Sequence, residues 1–145
     1  MATTPTLSTR ATLAATIAGL VTGTYVASAI YPCNTNKPWD VVVEVQVATT
    51  NALTGTSNFV FVFVQESLDG TNFRSGPTSG TTTTDEPNLR LLGSVPLNTA
   101  STTEMGTFSV AQALGYLPYA FKVVIKNSSG VTLTRGGVFT SEISG

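Results

Sequence analysis

The chain has 145 residues, the length of one ordinary domain, and its seven basic and eight acidic residues give a net charge of −1. So small a charge excludes electrostatic attraction to nucleic acid or to an acidic membrane surface. Charged residues make up 10% of the chain, against about 25% in a typical soluble domain, whereas 26 residues are threonine. Such a surface tends to associate, which favours a protein that works assembled with other chains. Strand propensity alone is the alternative explanation for the threonines.

Few residues are candidates for catalysis or metal binding. The chain has no histidine and one cysteine, Cys33, which argues against a zinc site, a disulfide and a nucleophilic thiol with a histidine base. Its acidic residues fall in polar surroundings: 85–86 in a loop, and Glu66 and Asp69 beside a turn, where solvation is their ordinary role. We therefore predict no catalytic residue, no metal, no cofactor and no small-molecule substrate.

Residues 1–30 are predicted to form an extended arm or an edge strand, followed by a β-sandwich domain over 31–145. The segment ATLAATIAGLV (11–21) has the alanine content of a helix, but its β-branched residues, such as Thr12 and Thr16, favour extended structure. The same polar interruptions argue against a secretion signal and against a membrane helix, which needs ~20 continuous apolar residues. An extended arm could pair with the sheet edge of a neighbouring subunit.

Alternation of residue types predicts strands at 39–49 and 59–66, joined into a hairpin that pairs 39–49 with 57–66 across a turn-forming segment at 49–58. The first strand has one apolar face, formed by Val41, Val43, Val45 and Val47. The second is apolar on both faces, with Phe59, Phe61 and Phe63 opposite Val60, Val62 and Val64. One face needs a second sheet as cover, and the other needs a crossing segment, the N-terminal arm or a neighbouring subunit.

A turn at 69–70 follows, and then a long polar loop at 75–88 that we expect to be exposed and ordered by a partner. A strand is predicted at 88–97, and Pro96 confines that end of it to a sheet edge or terminus.

The segment 103–114 is ambiguous, because Phe108, Val110 and Gln112 alternate as in a strand, whereas SVAQALG (109–115) could be a single helical turn closed by Gly115. We favour a strand that leads into a short turn. A final hairpin is predicted to pair the strand that carries Tyr119 to Ile125 with a return strand at 131–135, across a turn at 127–130. Short strands separated by Gly-, Asn- and Thr-rich turns, without a long amphipathic helix, predict an all-β fold, an antiparallel two-sheet sandwich.

The run QESLDGTNF (65–73) resembles β-sandwich virion proteins of tailed bacteriophages, in which a strand often ends in an S-x-D-G-x-x-F/W hairpin. The resemblance covers nine residues and is strengthened by the small size of the chain and its Thr/Ser/Gly/Ala-rich start. Together these features look like capsid decoration, or cement, proteins. The resemblance implies a jelly-roll-like fold, a trimer, and a position in the virion at points where major capsid subunits meet.

The resulting hypothesis is a non-enzymatic decoration subunit, assembled in the host cytoplasm, whose partners are the major capsid protein and copies of itself. The arm and the loop at 75–88 would contact these neighbours. The predicted subunit-interface residues are Leu7, Leu13, Ile17, Leu20, Val21, Tyr25, Thr81, Thr82, Asp85 and Glu86.

Two alternatives stay open from the sequence. Phage neck and tail structural proteins share these features. A carbohydrate-binding β-sandwich module is the second alternative, because similar runs occur in bacterial adhesive and sugar-binding sandwiches. It would use exposed aromatic residues, Trp39 above all, and the turn at 69–72. The side-chain oxygens of this turn also make it the one place considered for a calcium ion, although it lacks the spacing of an EF-hand loop.

Overall fold

The computed structural model describes residues 3–55 and 58–145, and it is an all-β sandwich of two antiparallel sheets, as predicted. Residues 1, 2, 56 and 57 of the predicted arm, turn and hairpin lie outside this description. The strands are β1 (Thr6–Leu7), β2 (Ala11–Leu13), β3 (Tyr25–Ala27), β4 (Tyr31–Pro32), β5 (Asp40–Ala48), β6 (Phe59–Ser67), β7 (Arg90–Pro96), β8 (Glu104–Ser109), β9 (Ala120–Ser128) and β10 (Arg135–Ser144).

The strand order is that of a jelly roll. In sheet A, β10 lies between β5 and the short strands β1 and β2, and β8 forms the other edge. In sheet B, β9 lies between β6 and the short strands β3 and β4, and β7 forms the other edge. If β1 with β2 and β3 with β4 each count as one broken strand, eight strands pair first with last, second with seventh, third with sixth and fourth with fifth. This nesting of outer pairs around inner pairs defines the roll.

Two short helices lie at one end of the sandwich. Helix α1 (Cys33–Asn36) follows β4, and helix α2 (Val110–Leu114) follows β8. The hydroxyl of Ser109 caps α2 by accepting a hydrogen bond from the Gln112 amide at 3.0 Å, and Gly115 ends the helix at φ 81°. Both structures considered for 103–114 therefore occur in succession: the strand ends at Ser109, and the segment after it is the helical turn closed by Gly115, not a plain turn.

The core lies between the sheets and follows the alternation read from the sequence. The inward side chains of β5 and β6 are fully buried and meet those of β9 and β10 across the sandwich. The main members are Val41, Val43, Val45, Val47, Val60, Val62, Val64, Phe121, Val123, Ile125 and Val138. The predicted faces of the strands at 39–49 and 59–66 are thus confirmed.

Both predicted hairpins are wrong. Strand β5 pairs with β10 and β8 in sheet A, whereas β6 pairs with β7 and β9 in sheet B. Likewise β9 ends at Ser128 in sheet B, and the chain crosses to sheet A before β10 begins at Arg135. The predicted strand at 88–97 is confirmed as β7, and it forms a sheet edge that ends at Pro96.

The phenylalanine face of β6 is covered mainly by the chain itself. Phe63 is buried in a small cluster with Tyr25, Leu89 and Val124 on the outer face of sheet B, and Phe61 packs against this cluster. Phe59 remains 37% exposed. The phenylalanine face is therefore covered by a crossing segment, which contributes Leu89, and by part of the N-terminal segment, which contributes Tyr25. The apolar faces of β6 thus give no independent argument for a partner.

The N-terminal segment lies on both sheets as edge strands. Leu7 pairs with Ile143 and Leu13 with Val138 at the edge of sheet A, and Val26 pairs with Ile125 at the edge of sheet B. Of the two forms open from the sequence, the described part of this segment takes the edge strand, and an arm that reaches a neighbour stays unconfirmed.

Candidate functional site

The ten predicted interface residues do not form one surface. Leu7, Val21, Thr81, Thr82 and Asp85 are exposed, and Glu86 is half-buried. The other four, Leu13, Ile17, Leu20 and Tyr25, are buried within the chain. Their assignment to an interface needs correction. Leu13 in β2, with Ile17 and Leu20 in the segment between β2 and β3, packs into the main core, and Tyr25 is covered on the outer face of sheet B. Contact of the exposed residues with a neighbour stays a prediction.

The loop at 75–88 is held to the outer face of sheet B at its far end. Glu86 accepts a hydrogen bond from the Tyr25 hydroxyl and forms an ion pair with Lys126 Nζ at 2.6 Å. The Tyr25 amide donates to the Gly80 carbonyl at 3.1 Å, and Leu89 is buried against the same face. Residues 81–85 remain exposed between these anchors, as expected from the sequence.

The contacts of Glu86 with Tyr25 and Lys126, which hold this loop, shift the pKa values of Glu86 and Lys126. Burial would raise the pKa of Glu86, but hydrogen bonds from Lys126 and Tyr25 outweigh it and hold the pKa below its ordinary value. For Lys126, burial opposes the charged form, yet the hydrogen bond to Glu86 raises the pKa. These bonds to Glu86 therefore stabilise the fold at neutral pH. The stabilisation declines as pH falls below the ordinary glutamate pKa of 4.5 and is lost through the lower pKa that Glu86 has in the fold.

Glu86→Gln should loosen the loop at neutral pH, because it removes the charge that pairs with Lys126 while keeping the side chain's shape. Hydrogen exchange of the amides at 80–89, followed by mass spectrometry, should be faster in the variant at pH 7, and the difference from the unsubstituted chain should shrink below pH 4. Asp85→Asn, at the exposed neighbouring position, is the matched control and should exchange like the unsubstituted chain. Equal exchange in both variants would show that the ion pair does not hold the loop.

The outer face of sheet A differs from that of sheet B because, in the described structure, it has no counterpart of the loop at 75–88 bound across it. We call it the open face; it consists of the outward side chains of β1, β2, β5, β8 and β10. Leu7 is 63% and Met105 56% exposed there, and Val42 and Phe139 are half-buried. Arg10 and Glu44 pair with each other at 2.5 Å, and the Arg10 guanidinium lies 4.1 Å from the centre of the Phe139 ring. Arg10 and Glu44 thus neutralise each other, whereas Arg135, on the same face at the start of β10, is exposed.

A cleft of about 400 Å³ opens at the end of the sandwich that carries α2. We call it the end cleft; it is lined by Glu66, Leu68, Asp69, Asn72, Phe73, Arg74 and Tyr116. Glu66 is the penultimate residue of β6, where it continues the inward face of the strand. Tyr116 directly follows Gly115, which ends helix α2. The segment 68–74 folds back beside β6, where Phe73 bridges to Ser67 and the Arg74 amide donates to the Glu66 carbonyl.

Glu66 is the unusual member of the cleft, because the sequence predicted a solvated carboxylate and the structure buries it at 4% exposure. Its Oε1 accepts a hydrogen bond from Arg74 Nε at 2.6 Å, while its Oε2 is buried without a hydrogen-bond partner in the described part of the chain. A buried carboxylate oxygen without a donor is uncommon in folded proteins.

Asp69 is committed to its own turn. Its Oδ1 accepts hydrogen bonds from the amides of Thr71 and Asn72, both at 2.8 Å, and its Oδ2 accepts one from Asn72 Nδ2 at 2.7 Å. The hydrogen bonds from Asn72 and Thr71 hold the pKa of Asp69 well below its usual range. The carboxylate therefore shapes the loop that forms one wall of the end cleft. Across residues 3–55 and 58–145, no three acidic or thiol side chains come together as a metal-binding group.

Cys33 is buried at the start of α1, next to a hydrogen-bonded cluster of Tyr31, Asn36 and Glu142. Burial, with a further contribution from the negative charge of Glu142, raises the pKa of the thiol to about 12. At neutral pH the side chain is the protonated thiol, which is a poor nucleophile.

The aromatic side chains considered from the sequence as a sugar-binding platform are Tyr25, Tyr31, Trp39, Tyr116 and Tyr119, and they do not form one surface. Tyr119 is 45% exposed, with its ring against Gly70 of the 69–72 turn. Tyr25 is buried under the loop, and Tyr31 stacks on Phe121 with ring centres 5.1 Å apart. Trp39 is exposed but does not line the end cleft, whereas Tyr116 does and is 43% exposed.

Comparison with known proteins adds no relative: neither the protein-family models nor the curated proteins contain a match to this chain. Within the described residues, no helix has the length and apolar character needed to span a membrane.

Proposed function

We propose that the chain is a non-enzymatic virion structural protein, a capsid decoration subunit of a tailed bacteriophage that stabilises the shell through protein–protein contacts. The open face of sheet A is the observation that carries this proposal. It offers a β surface on which Leu7 and Met105 are exposed, and the charges of Arg10 and Glu44 on it neutralise each other. A surface of this kind binds by shape and apolar contact, as the core of a protein interface does.

The fold and composition support the same function. Jelly rolls are common among viral capsid domains and also among lectins, so the fold alone is an argument by analogy. The low charge of the chain adds to it, because a sparsely charged surface favours association. In this function the partners are the major capsid protein and further copies of the chain, which we expect to form a trimer in solution.

The test is to delete the gene from the phage that encodes the chain and to restore it with variants. Deletion should leave particles that lose infectivity sooner on heating or with chelators. Particle imaging should place the restored chain on the shell; a location at the neck or tail would favour the alternative structural functions.

Two substitutions test the open face directly. Met105→Lys puts a charge on this face, and Leu91→Lys is a matched control on strand β7 of sheet B, because both side chains are 56% exposed. Met105→Lys should reduce occupancy on particles about tenfold or more, as expected when a charge replaces an apolar side chain that an interface buries, and Leu91→Lys should not. A chain that is a stable monomer and absent from purified particles would rule out the proposal.

A further inference from the structure

We propose that the end cleft binds a neutral saccharide. This site goes beyond the proposed structural function and lies apart from the open face, since the cleft is formed by segment 66–74 and Tyr116 at the end of the sandwich. Its volume of about 400 Å³ lies within the range of roughly 300–1,000 Å³ usual for ligand pockets.

The buried oxygen of Glu66 indicates that a hydrogen-bond donor is missing from the site. Arg74 satisfies Oε1, but Oε2 has no partner among the described residues although it is buried. A buried acceptor left unpaired costs stability, and a ligand that donates to it recovers that cost. A sugar hydroxyl can donate to this oxygen and still accept a hydrogen bond from a neighbouring group.

The charges of the cleft decide against ionic ligands. An anion would meet the carboxylates of Glu66 and Asp69, and a cation would meet the Arg74 guanidinium. Moreover, Glu66 is already paired with Arg74, and Asp69 is held by hydrogen bonds of its own turn. Lys122, whose Nζ lies 4.5 Å from the centre of the Phe73 ring, adds a positive charge that offsets the second carboxylate, and this balance suits a neutral ligand rich in hydroxyl groups.

The apolar wall favours a sugar over other neutral polar ligands. Leu68 is 74% and Tyr116 43% exposed, and both line the cleft with Phe73. The C–H face of a pyranose ring packs on an aromatic ring while its hydroxyl edge reaches polar groups, so one ligand uses both walls. A purely apolar ligand would leave Glu66 Oε2 unpaired and would desolvate Arg74.

The test uses the purified full chain on an array of neutral and acidic glycans, followed by titration of the best neutral glycan in solution. We expect binding to neutral glycans, with NMR shift changes confined to 66–74 and the region of residue 116. Binding to no neutral glycan, or to acidic glycans only, would overturn the proposal.

Three variants locate the binding site. Tyr116→Ala should weaken binding about tenfold or more by removing the stacking ring, whereas Tyr116→Phe should bind within about threefold of the unsubstituted chain. Trp39→Ala removes an exposed aromatic outside the cleft and should bind normally. Unchanged binding by Tyr116→Ala, or equal loss in Trp39→Ala, would remove the site from this cleft. The assay needs no particles, so its failure and the failure of the proposed shell function can be told apart.

Discussion

Asn127→Asp should lower the free energy of unfolding by about 3–5 kcal/mol at pH 7, because it places a charge in a buried site built for an amide. Asn127 is fully buried, and its Nδ2 donates to the carbonyl oxygens of Leu20 at 2.8 Å and Val131 at 2.7 Å. A carboxylate there would face both carbonyls with an oxygen in place of the donor. Urea unfolding followed by circular dichroism measures the loss.

The pH dependence identifies the cause of this loss. Burial beside two carbonyl oxygens raises the pKa of the introduced carboxyl in the folded state above its unfolded value of about 3.9. The folded state then holds a proton that the unfolded state releases, so the loss grows as pH rises from about 4 to 7. Asn98→Asp, at an exposed position, should change stability by less than about 0.5 kcal/mol. A loss of under 1 kcal/mol at Asn127, independent of pH, would contradict the account.

Asn127 also explains why the last predicted hairpin does not form. The sequence at 127–130 has the composition of a tight turn, and local composition predicts that the flanking strands pair. Instead, the Asn127 side chain binds the Val131 carbonyl, and the Leu133 amide donates to the Leu20 carbonyl. The return strand is thereby drawn to the N-terminal segment and on to β5, where the Thr134 amide reaches the Ala48 carbonyl. The bonds to Leu20 and Ala48 join residues more than eighty positions apart, which no local pattern reveals.

The positions and faces of strands were predictable because alternation is a local property. Val41 to Val47 and Val60 to Val64 face the core as their spacing indicates. Pairing was not predictable. Most strands that are consecutive in sequence pair in one sheet, whereas in this jelly roll β5 and β6 lie in different sheets, as do β9 and β10. The correct all-β class and the wrong hairpins therefore come from the same pattern.

The end cleft was only partly visible in the sequence. The turn at 69–72 was recognised, but Glu66 was interpreted as solvated because it stands beside that turn. Its position two residues after Val64 in fact continues the inward face of β6, and this spacing could have predicted its burial. The approach of Tyr116 could not be predicted, since it depends on where α2 ends relative to another sheet.

Gly93→Val should lower the free energy of unfolding by about 2–3 kcal/mol, although valine is otherwise a favourable residue in a strand. Gly93 in β7 pairs with inward-facing Val62, and a Cβ at this position would overlap the ring of Phe108. That ring also covers Gly106, where a Cβ would lie 2.8 Å from its Cζ atom. The ring thus closes the side of the sandwich where the edge strands of the two sheets meet.

A double-mutant cycle separates this overlap from any general intolerance of β7. Phe108→Ala should itself destabilise the fold by about 2–3 kcal/mol, less than a fully buried phenylalanine because the ring is half-buried. With the ring gone, Gly93→Val fills vacated space, so the two substitutions together should cost less than their sum by roughly 2 kcal/mol. Ser94→Val, on the outward face of the same strand, should stay within about 0.5 kcal/mol of the unsubstituted chain in either background. Strictly additive losses would mean that the position of the Phe108 ring does not require a glycine at residue 93, and that another contact closes this edge of the roll.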